Sequence, residues 1–203
     1  MKGILIAIEG INGCGKSSII QKLVRYFHSL GLETSVYKFP DRSGAYGDQI
    51  DRFLRNQNVF EYKYDMFNAF AMNRLAVRED ILKDIKRGAI VICDRYIASA
   101  IAYHVPLRVS PHALEAYKQV LGYFDKDMLV PTKTYLISGD FLHLRAEERQ
   151  RYHYNDRESE QLLDIFKKIV PDYSSSYCVV QNVYNRLDDT VAYMAIDIMK
   201  HQQ

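Results

Sequence analysis

An eight-residue segment near the N-terminus has the residue types and spacing that bind nucleotide phosphates. Residues 10–17 read Gly-Ile-Asn-Gly-Cys-Gly-Lys-Ser, the complete G-x-x-x-x-G-K-S pattern. Glycines let the backbone curl so that successive N–H groups face phosphate oxygens, and a following helix adds its positive N-terminal end. We therefore predict a nucleoside triphosphate site formed by Gly10, Asn12, Gly13, Cys14, Gly15, Lys16, Ser17 and Ser18.

Two side chains of this loop have defined chemistry. Lys16 can reach the β- and γ-phosphates, and the Ser17 hydroxyl can bind Mg²⁺. Cys14 is expected to contribute its backbone N–H, with a thiol that is incidental. Lys16 is accordingly a candidate catalytic residue, and Ser17 is a candidate metal ligand.

Two Asp-Arg pairs follow the next two predicted strands, at Asp41-Arg42 and Asp94-Arg95. Open α/β sheets bind their ligands at the carboxyl ends of strands. Arginines at two neighbouring strand ends can clamp a second phosphate, and Asp94 beside the loop suits a place around Mg²⁺. The alternative is a pair of surface ion pairs, but two of them at successive strand ends favour the clamp.

The elements that must hold these residues alternate between strands and helices. Apolar runs predict strands at residues 4–8, 36–39, 89–93, 134–138 and 177–180. Apolar residues at helical spacing predict helices over 17–30, 62–87 and 111–124, one through 162–169, and a last one that starts near Asp188. Alternation of this kind predicts an α/β fold with a parallel sheet covered on both faces.

Composition narrows the class of protein further. Of 203 residues, 48% are hydrophobic and 26% are charged, which excludes a disordered chain. Lys and Arg number 27 against 25 Asp and Glu, and a net charge of +2 gives no reason to expect nucleic acid or an acidic membrane as partner. The sequence shows neither a signal peptide nor an apolar run of spanning length, and its cysteines number three. We expect a soluble protein of a reducing compartment, the cytoplasm.

The order of these motifs resembles that of the thymidylate kinases, within the P-loop nucleoside monophosphate kinases. The resemblance runs through Glu9-Gly10 with the loop, then residues 39–43 (Phe-Pro-Asp-Arg-Ser), 70–74 (Phe-Ala-Met-Asn-Arg) and 94–96 (Asp-Arg-Tyr). It implies a three-layer P-loop kinase fold with a five-stranded parallel sheet, in one domain over residues 1–203. It also implies a homodimer that uses Mg²⁺ and binds ATP and dTMP.

The resemblance also implies roles for individual residues. Arg42 and Arg95 would bind the acceptor's phosphate, Phe70 would stack on thymine, Arg74 would donate to a base carbonyl, and Tyr103 would crowd the sugar 2′ position. The implied substrate-binding set is Asn12, Phe39, Asp41, Arg42, Phe70, Arg74, Arg95, Ser99 and Tyr103, and the implied catalytic set is Lys16, Asp94, Arg95 and Arg157. The alternative for Phe70 is ordinary core packing.

An arginine-rich stretch corresponds to the lid of such kinases, at about residues 141–158. Gly13 occupies the loop position where some members carry a basic residue, so the lid is expected to supply that charge. Arg157 is the first candidate, and Arg149 and Arg151 come next as ATP-binding residues. The alternative is a solvated helix face in which these arginines are balanced by Glu147 and Glu148.

The implied reaction is transfer of the ATP γ-phosphoryl group to dTMP, giving dTDP and ADP. One alternative is a deoxynucleoside kinase, or a kinase of broader monophosphate range, and the former would need Asp41 as a base. The other is a nucleotide-dependent switch, since residues 41–44 fit Asp-x-x-Gly, although residues 132–135 lack the aspartate of a guanine reader. The chain departs from the family at Asn12, where a carboxylate is usual, and at Ala100, where glycine is common.

Overall fold

A computed structural model describes residues 2–139, 156–183 and 185–202. Five strands form one parallel sheet: β1 (Ile4–Gly10), β2 (Thr34–Lys38), β3 (Ile90–Asp94), β4 (Lys133–Gly139) and β5 (Tyr177–Asn182). Their order across the sheet is β2-β3-β1-β4-β5. The predicted α/β class and five-stranded parallel sheet are confirmed.

The described helices are α1 (Lys16–Ser29), α2 (Gly47–Leu54), α3 (Lys63–Leu75), α4 (Arg78–Lys86), α5 (Ile97–Ala102), α6 (Pro111–Phe124), α7 (Asp156–Ile169) and α8 (Leu187–Lys200). A 3₁₀ turn, Val170–Tyr173, follows α7. Ser110 caps α6, because its Oγ accepts from the N–H of Ala113 at 3.2 Å. The single helix predicted over 62–87 is wrong, since the chain breaks between α3 and α4 at residues 76–77.

The central strands explain why the sheet has helices on both faces. Every residue of β1 and of β3 is buried, which requires cover on each side. Helix α1 packs on α8, while α5 packs on α6 and α7 in a second layer. None of the helices within the described ranges is long and apolar enough to span a membrane.

Strand register brings three connecting loops to one edge of the sheet. Ile8 of β1 and Lys38 of β2 both stand opposite Asp94, the last residue of β3. The segments that follow β1, β2 and β3 therefore leave the sheet side by side. This placement is what the two Asp-Arg pairs and the glycine-rich loop require if they are to form one site.

Candidate active site

The glycine-rich loop between β1 and α1 depends on its glycines. Gly10, Gly13 and Gly15 have φ angles of 134°, 78° and 92°, in the region that favours glycine. A Cβ on Gly10 would lie 2.4 Å from the carbonyl oxygen of Ile137 on β4. The loop therefore combines positive φ angles with close packing on the neighbouring strand, and other residues cannot replace these glycines without strain.

Lys16 is folded back over this loop. Its Nζ donates to the carbonyl oxygens of Gly10 at 3.0 Å and Ile11 at 2.5 Å, and its side chain is 6% exposed. Burial lowers the pKa of the Lys16 amine from its ordinary value. A buried ammonium group that contacts only neutral carbonyls is strongly stabilised by a nearby anion. A phosphate bound in the loop would be such an anion.

The residues suited to Mg²⁺ lie around one cavity of about 570 Å³. Ser17 and Ser18, at the start of α1, line it together with Asp94 at the end of β3. Among the described residues there is no group of three or more His, Cys, Asp or Glu side chains placed to hold a metal ion. One hydroxyl and one carboxylate fit Mg²⁺, because that ion takes most of its ligands from phosphates and water.

Arg95 links the third strand to the loop. Its Nη1 donates to the Gly10 carbonyl at 2.9 Å and to the Tyr103 hydroxyl at 3.2 Å, and its Nη2 donates to Asn12 Oδ1. Burial disfavours the charged form of Arg95, but its electrostatic interactions with Tyr103 and Glu9 favour that form more strongly. The pKa of Arg95 is therefore raised. The guanidinium is thus fixed and charged beside the predicted triphosphate site.

Glu9, the penultimate residue of β1, positions the segment that carries Arg95. Its carboxylate accepts from the backbone N–H of Tyr96 at 2.9 Å and of Ser99 at 3.2 Å, and from the Ser99 hydroxyl. Glu9 is 1% exposed, and burial raises the pKa of its carboxyl group. The sequence motifs include Glu9 but assign it no role. The contacts of Glu9 show that it anchors the turn after β3.

The segment after β2 is held by a residue that sequence reasoning assigned no role. Asn73 of α3 is 1% exposed; its Oδ1 accepts from the Asp41 N–H at 2.8 Å, and its Nδ2 donates to the Asp41 carbonyl at 2.7 Å. The Asp41 carboxylate accepts from the N–H and hydroxyl of Ser43, which lowers the pKa of Asp41. Arg42 pairs with Asp51 at 2.6 Å. The sequence signal that could have identified Asn73 is an amide side chain within the apolar stretch of a predicted helix.

Aromatic rings line the region between α3 and the end of α5. The Phe70 ring lies 5.6 Å from the His104 ring and 6.3 Å from the Phe53 ring. Phe67 stands perpendicular to His104 at 5.0 Å. Phe39 is 3% exposed and packs on Tyr96 at 5.8 Å, so it supports the turn after β3. Contact of Phe39 or Phe70 with an acceptor remains a prediction.

Arg74 has a partner that the sequence did not indicate. Its Nε and Nη2 donate to the two carboxylate oxygens of Asp125 at 2.8 and 2.7 Å, and both side chains are buried. Asp125 leaves three N–H groups of the guanidinium for the predicted donation to a base carbonyl, two on Nη1 and one on Nη2. The two bonds to Asp125 fix the orientation of the Arg74 guanidinium.

Asn182, the last residue of β5, was also missed. Its Nδ2 donates to the Cys14 carbonyl at 2.9 Å, and a Cβ on Gly15 would lie 2.2 Å from that nitrogen. Asn182 therefore packs directly against the phosphate loop. Its position at a strand's carboxyl end, beside the glycine-rich loop, was the available signal.

The lid candidates are only partly covered by the structure. Arg149 and Arg151 lie outside the described residues, as does most of the predicted lid at 141–158. Arg157 lies in the first turn of α7 and is exposed. It makes no hydrogen bond or ion pair with any described residue of the loop, so its catalytic role remains a prediction.

Known proteins resemble this chain along most of its length. A family model described as thymidylate kinase matches residues 8–191. Thymidylate kinases from Arabidopsis thaliana and Desulfotalea psychrophila are 32% and 36% identical over 102 and 101 residues, which is 50% of this chain and 38% and 50% of theirs. The aligned part thus spans half or less of those curated relatives.

A solved structure supports the fold. The thymidylate kinase of Candida albicans aligns with a TM-score of 0.76 and 23% identity, over 100% of this chain and 94% of that one. At that identity the likeness shows a common fold, and the P-loop kinase architecture expected from the sequence is confirmed. With the family model matching residues 8–191, the chain belongs to the thymidylate kinase family.

Proposed function

We propose that this protein transfers the γ-phosphoryl group of ATP to dTMP and releases dTDP and ADP. The observation that carries the proposal is the position of Arg95, whose guanidinium lies against the glycine-rich loop through Gly10 and Asn12. A cation fixed there can hold the acceptor's phosphate next to the nucleotide's γ-phosphate. Phosphoryl transfer needs mainly such alignment and charge neutralisation.

In the transfer step, an anionic oxygen of the dTMP phosphate attacks the γ-phosphorus. A new P–O bond forms as the bond between that phosphorus and the β–γ bridging oxygen breaks, and ADP leaves with the electron pair. Lys16 and Arg95 neutralise charge on the phosphates, and no base is needed because the nucleophile is already ionised. Ser17 and Asp94 would hold Mg²⁺, which would supply further positive charge against the phosphates.

The geometry around Asp41 argues against the deoxynucleoside kinase alternative. A sugar hydroxyl must lose a proton to act as nucleophile, and Asp41 is the carboxylate that would accept it. Its Oδ1 is occupied by two donors from Ser43, and those hydrogen bonds lower the pKa of Asp41. A carboxylate stabilised in its ionised form is a weaker base.

Phosphorus NMR of a mixture of protein, ATP, Mg²⁺ and dTMP tests the proposed reaction. We expect the dTMP resonance to be replaced by those of dTDP, with ADP formed in equal amount. Formation of ADP and inorganic phosphate without dTDP would contradict the proposal and favour a nucleotide-dependent switch. The homodimer also belongs to the proposal, and light scattering of the purified protein measures it directly.

A further inference from the structure

The segment that follows β2 carries one of the two arginines expected to bind the acceptor's phosphate, yet its own packing is slight. It starts beside the turn that carries Arg95, because the N–H of Phe39 donates to the Asp94 carbonyl at 3.0 Å. Residues 42–46, which include Arg42, are all exposed. Exposed backbone with few apolar contacts opens easily unless hydrogen bonds to a rigid element hold it. The place of Arg42 therefore depends on such bonds.

Asn73 of α3 supplies three of these bonds from one side chain. Its Oδ1 accepts from the N–H of Asp41 at 2.8 Å. Its Nδ2 donates to the carbonyl oxygens of Asp41 and Ala45, both at 2.7 Å, which uses both N–H groups of the amide. Asn73 is buried, so water competes little for these bonds. The backbone on both sides of Arg42 is thus fixed to α3.

The contacts of the Arg42 side chain itself are weak. Its guanidinium is exposed and pairs at 2.6 Å with Asp51 of α2, and Asp51 also pairs with Arg55 at 2.7 Å. Ion pairs at the protein surface contribute little to the order of a side chain, because water and salt screen them. The region that the Arg42 guanidinium can reach is therefore determined by the backbone that Asn73 holds.

The other arginine expected to bind this phosphate is held in a comparable way. Arg95 has a φ of 67°, a left-handed conformation that residues other than glycine seldom adopt. The buried carboxylate of Glu9 accepts from the N–H of Tyr96, the next residue, and so stabilises this turn. Arg95 also bonds through its side chain to the phosphate loop, whereas among the described residues Arg42 does not. Arg42 is thus the arginine that depends more on one buried polar residue.

We propose that Asn73 is a positioning residue, which acts through Arg42 to hold the site for the acceptor's phosphate in its binding conformation. In this role Asn73 contacts neither substrate. Without the amide, residues 41–45 populate several conformations, and the acceptor binds only the fraction in which Arg42 is in place. The apparent affinity for the acceptor falls in proportion to that fraction. The inference rests on the proposed function, because it takes the acceptor to be a nucleoside monophosphate.

Substitution of Asn73 by Ala removes all three bonds and frees backbone groups of an exposed segment, which water can reach. We expect N73A to raise the KM for dTMP by about tenfold, which corresponds to a competent fraction of about one tenth. The KM for dUMP should rise by the same factor, because the two acceptors carry the same phosphate. The KM for ATP should stay within about twofold and kcat within about threefold, since a loss of binding that is equal in the ground and transition states changes KM alone.

Two further variants separate positioning of the phosphate site from a general loosening of the protein. N68A makes the same change at an exposed position of α3, with the same gain in helix propensity, and should leave every KM unchanged. N182A removes an amide that bonds to the Cys14 carbonyl in the phosphate loop, and it should raise the KM for ATP but not that for dTMP. The proposal is overturned if N73A raises the KM for ATP and for dTMP equally. It is also overturned if N73A raises the KM for dTMP and dUMP by unequal factors, because that would place the disturbance at the predicted base contact Phe70.

Hydrogen exchange measured by NMR tests these bonds in the wild-type protein without any variant. In the presence of saturating dTMP, the side-chain NH₂ protons of Asn73 should exchange slowly, and those of the exposed Asn68 should exchange fast. Exchange of the Asn73 protons at the rate of those of Asn68 would overturn the proposal, whether or not the variants fold. Wild-type turnover of dTMP tests the proposed function separately: if turnover is observed and N73A does not raise the KM for dTMP selectively, only the role of Asn73 fails.

Discussion

The guanidinium of Arg95 donates to the side-chain oxygen of Asn12, which joins the end of β3 to the phosphate-binding loop. The family usually has a carboxylate at position 12, and an amide in its place orients Arg95 without neutralising it. The charge of Arg95 therefore remains available to a phosphate. In the proposed reaction, this contact holds the cation that binds the acceptor's phosphate next to the loop that binds ATP.

Arg95→Lys should reduce kcat/KM for dTMP by about 100-fold or more. A lysine has one nitrogen and cannot span Gly10, Asn12 and Tyr103 as the planar guanidinium does. Steady-state kinetics measures the loss, and circular dichroism checks that the variant is folded. Arg87→Lys is the matched control, because Arg87 is exposed and pairs with Glu33 at the surface. Near-wild-type activity of Arg95→Lys would show that binding of the acceptor's phosphate does not need the planar guanidinium.

Lys16→Met should lower kcat by about 10²–10³-fold, the usual effect of removing one preorganised donor from a charge-stabilising site. The melting temperature should not fall, because burial already lowers the pKa of the Lys16 amine and so opposes its charge in the folded state. Lys22→Ala, on the same helix but exposed and paired with Asp188, should retain activity. If Lys16→Met unfolds the protein, Lys16 is a structural residue and the prediction is wrong.

Glu9→Gln tests the buried carboxyl group through the pH dependence of stability. Because burial raises the folded-state pKa of Glu9 above 4.5, its contribution to stability is fully present below pH 4.5 and is lost as pH rises through the folded-state pKa. Glutamine does not ionise, so the melting temperature of the variant minus that of the wild type should be more positive at pH 8 than at pH 5. The opposite trend would show that the ionised carboxylate is the favoured form.

Asp125→Ala should lower the free energy of unfolding by about 3–5 kcal/mol, because it leaves the buried guanidinium of Arg74 without its counter-charge. Urea denaturation measures the change. Asp164→Ala removes an exposed carboxylate that pairs with Lys167 within α7, and it should have no measurable effect. Equal stability of the two variants would mean that Arg74 finds a new partner.

The sheet and the phosphate loop could be predicted from the sequence, because each depends on residues that are adjacent along the chain. Buried parallel strands appear as short apolar runs, and the loop is a contiguous motif. Helix α5 was not predicted, since six residues are too few to show a helical period, yet it carries Ser99 and directs Tyr103 and His104. Helix α2 was missed for the same reason of length.

The side-chain pairs that complete the site could not be predicted, because they join residues far apart along the chain. Arg74 and Asp125 are 51 positions apart, and Asn182 bonds to Cys14 across 168 positions. Local periodicity carries no information about such pairs, which depend on how the strands and helices pack. The motif order identified Arg74 and Arg95 as functional candidates, whereas only the fold reveals which of their nitrogens are already engaged.

The most direct test of the proposed reaction is a coupled ADP-release assay with dTMP, dUMP, dCMP, dGMP, AMP and thymidine as acceptors. We predict the highest kcat/KM for dTMP, measurable turnover of dUMP, weak turnover of dCMP and none of thymidine above the background rate of ATP hydrolysis. Turnover of thymidine with none of the monophosphates, or of no acceptor at all, would contradict the assignment of Arg95 and the loop to two adjacent phosphates.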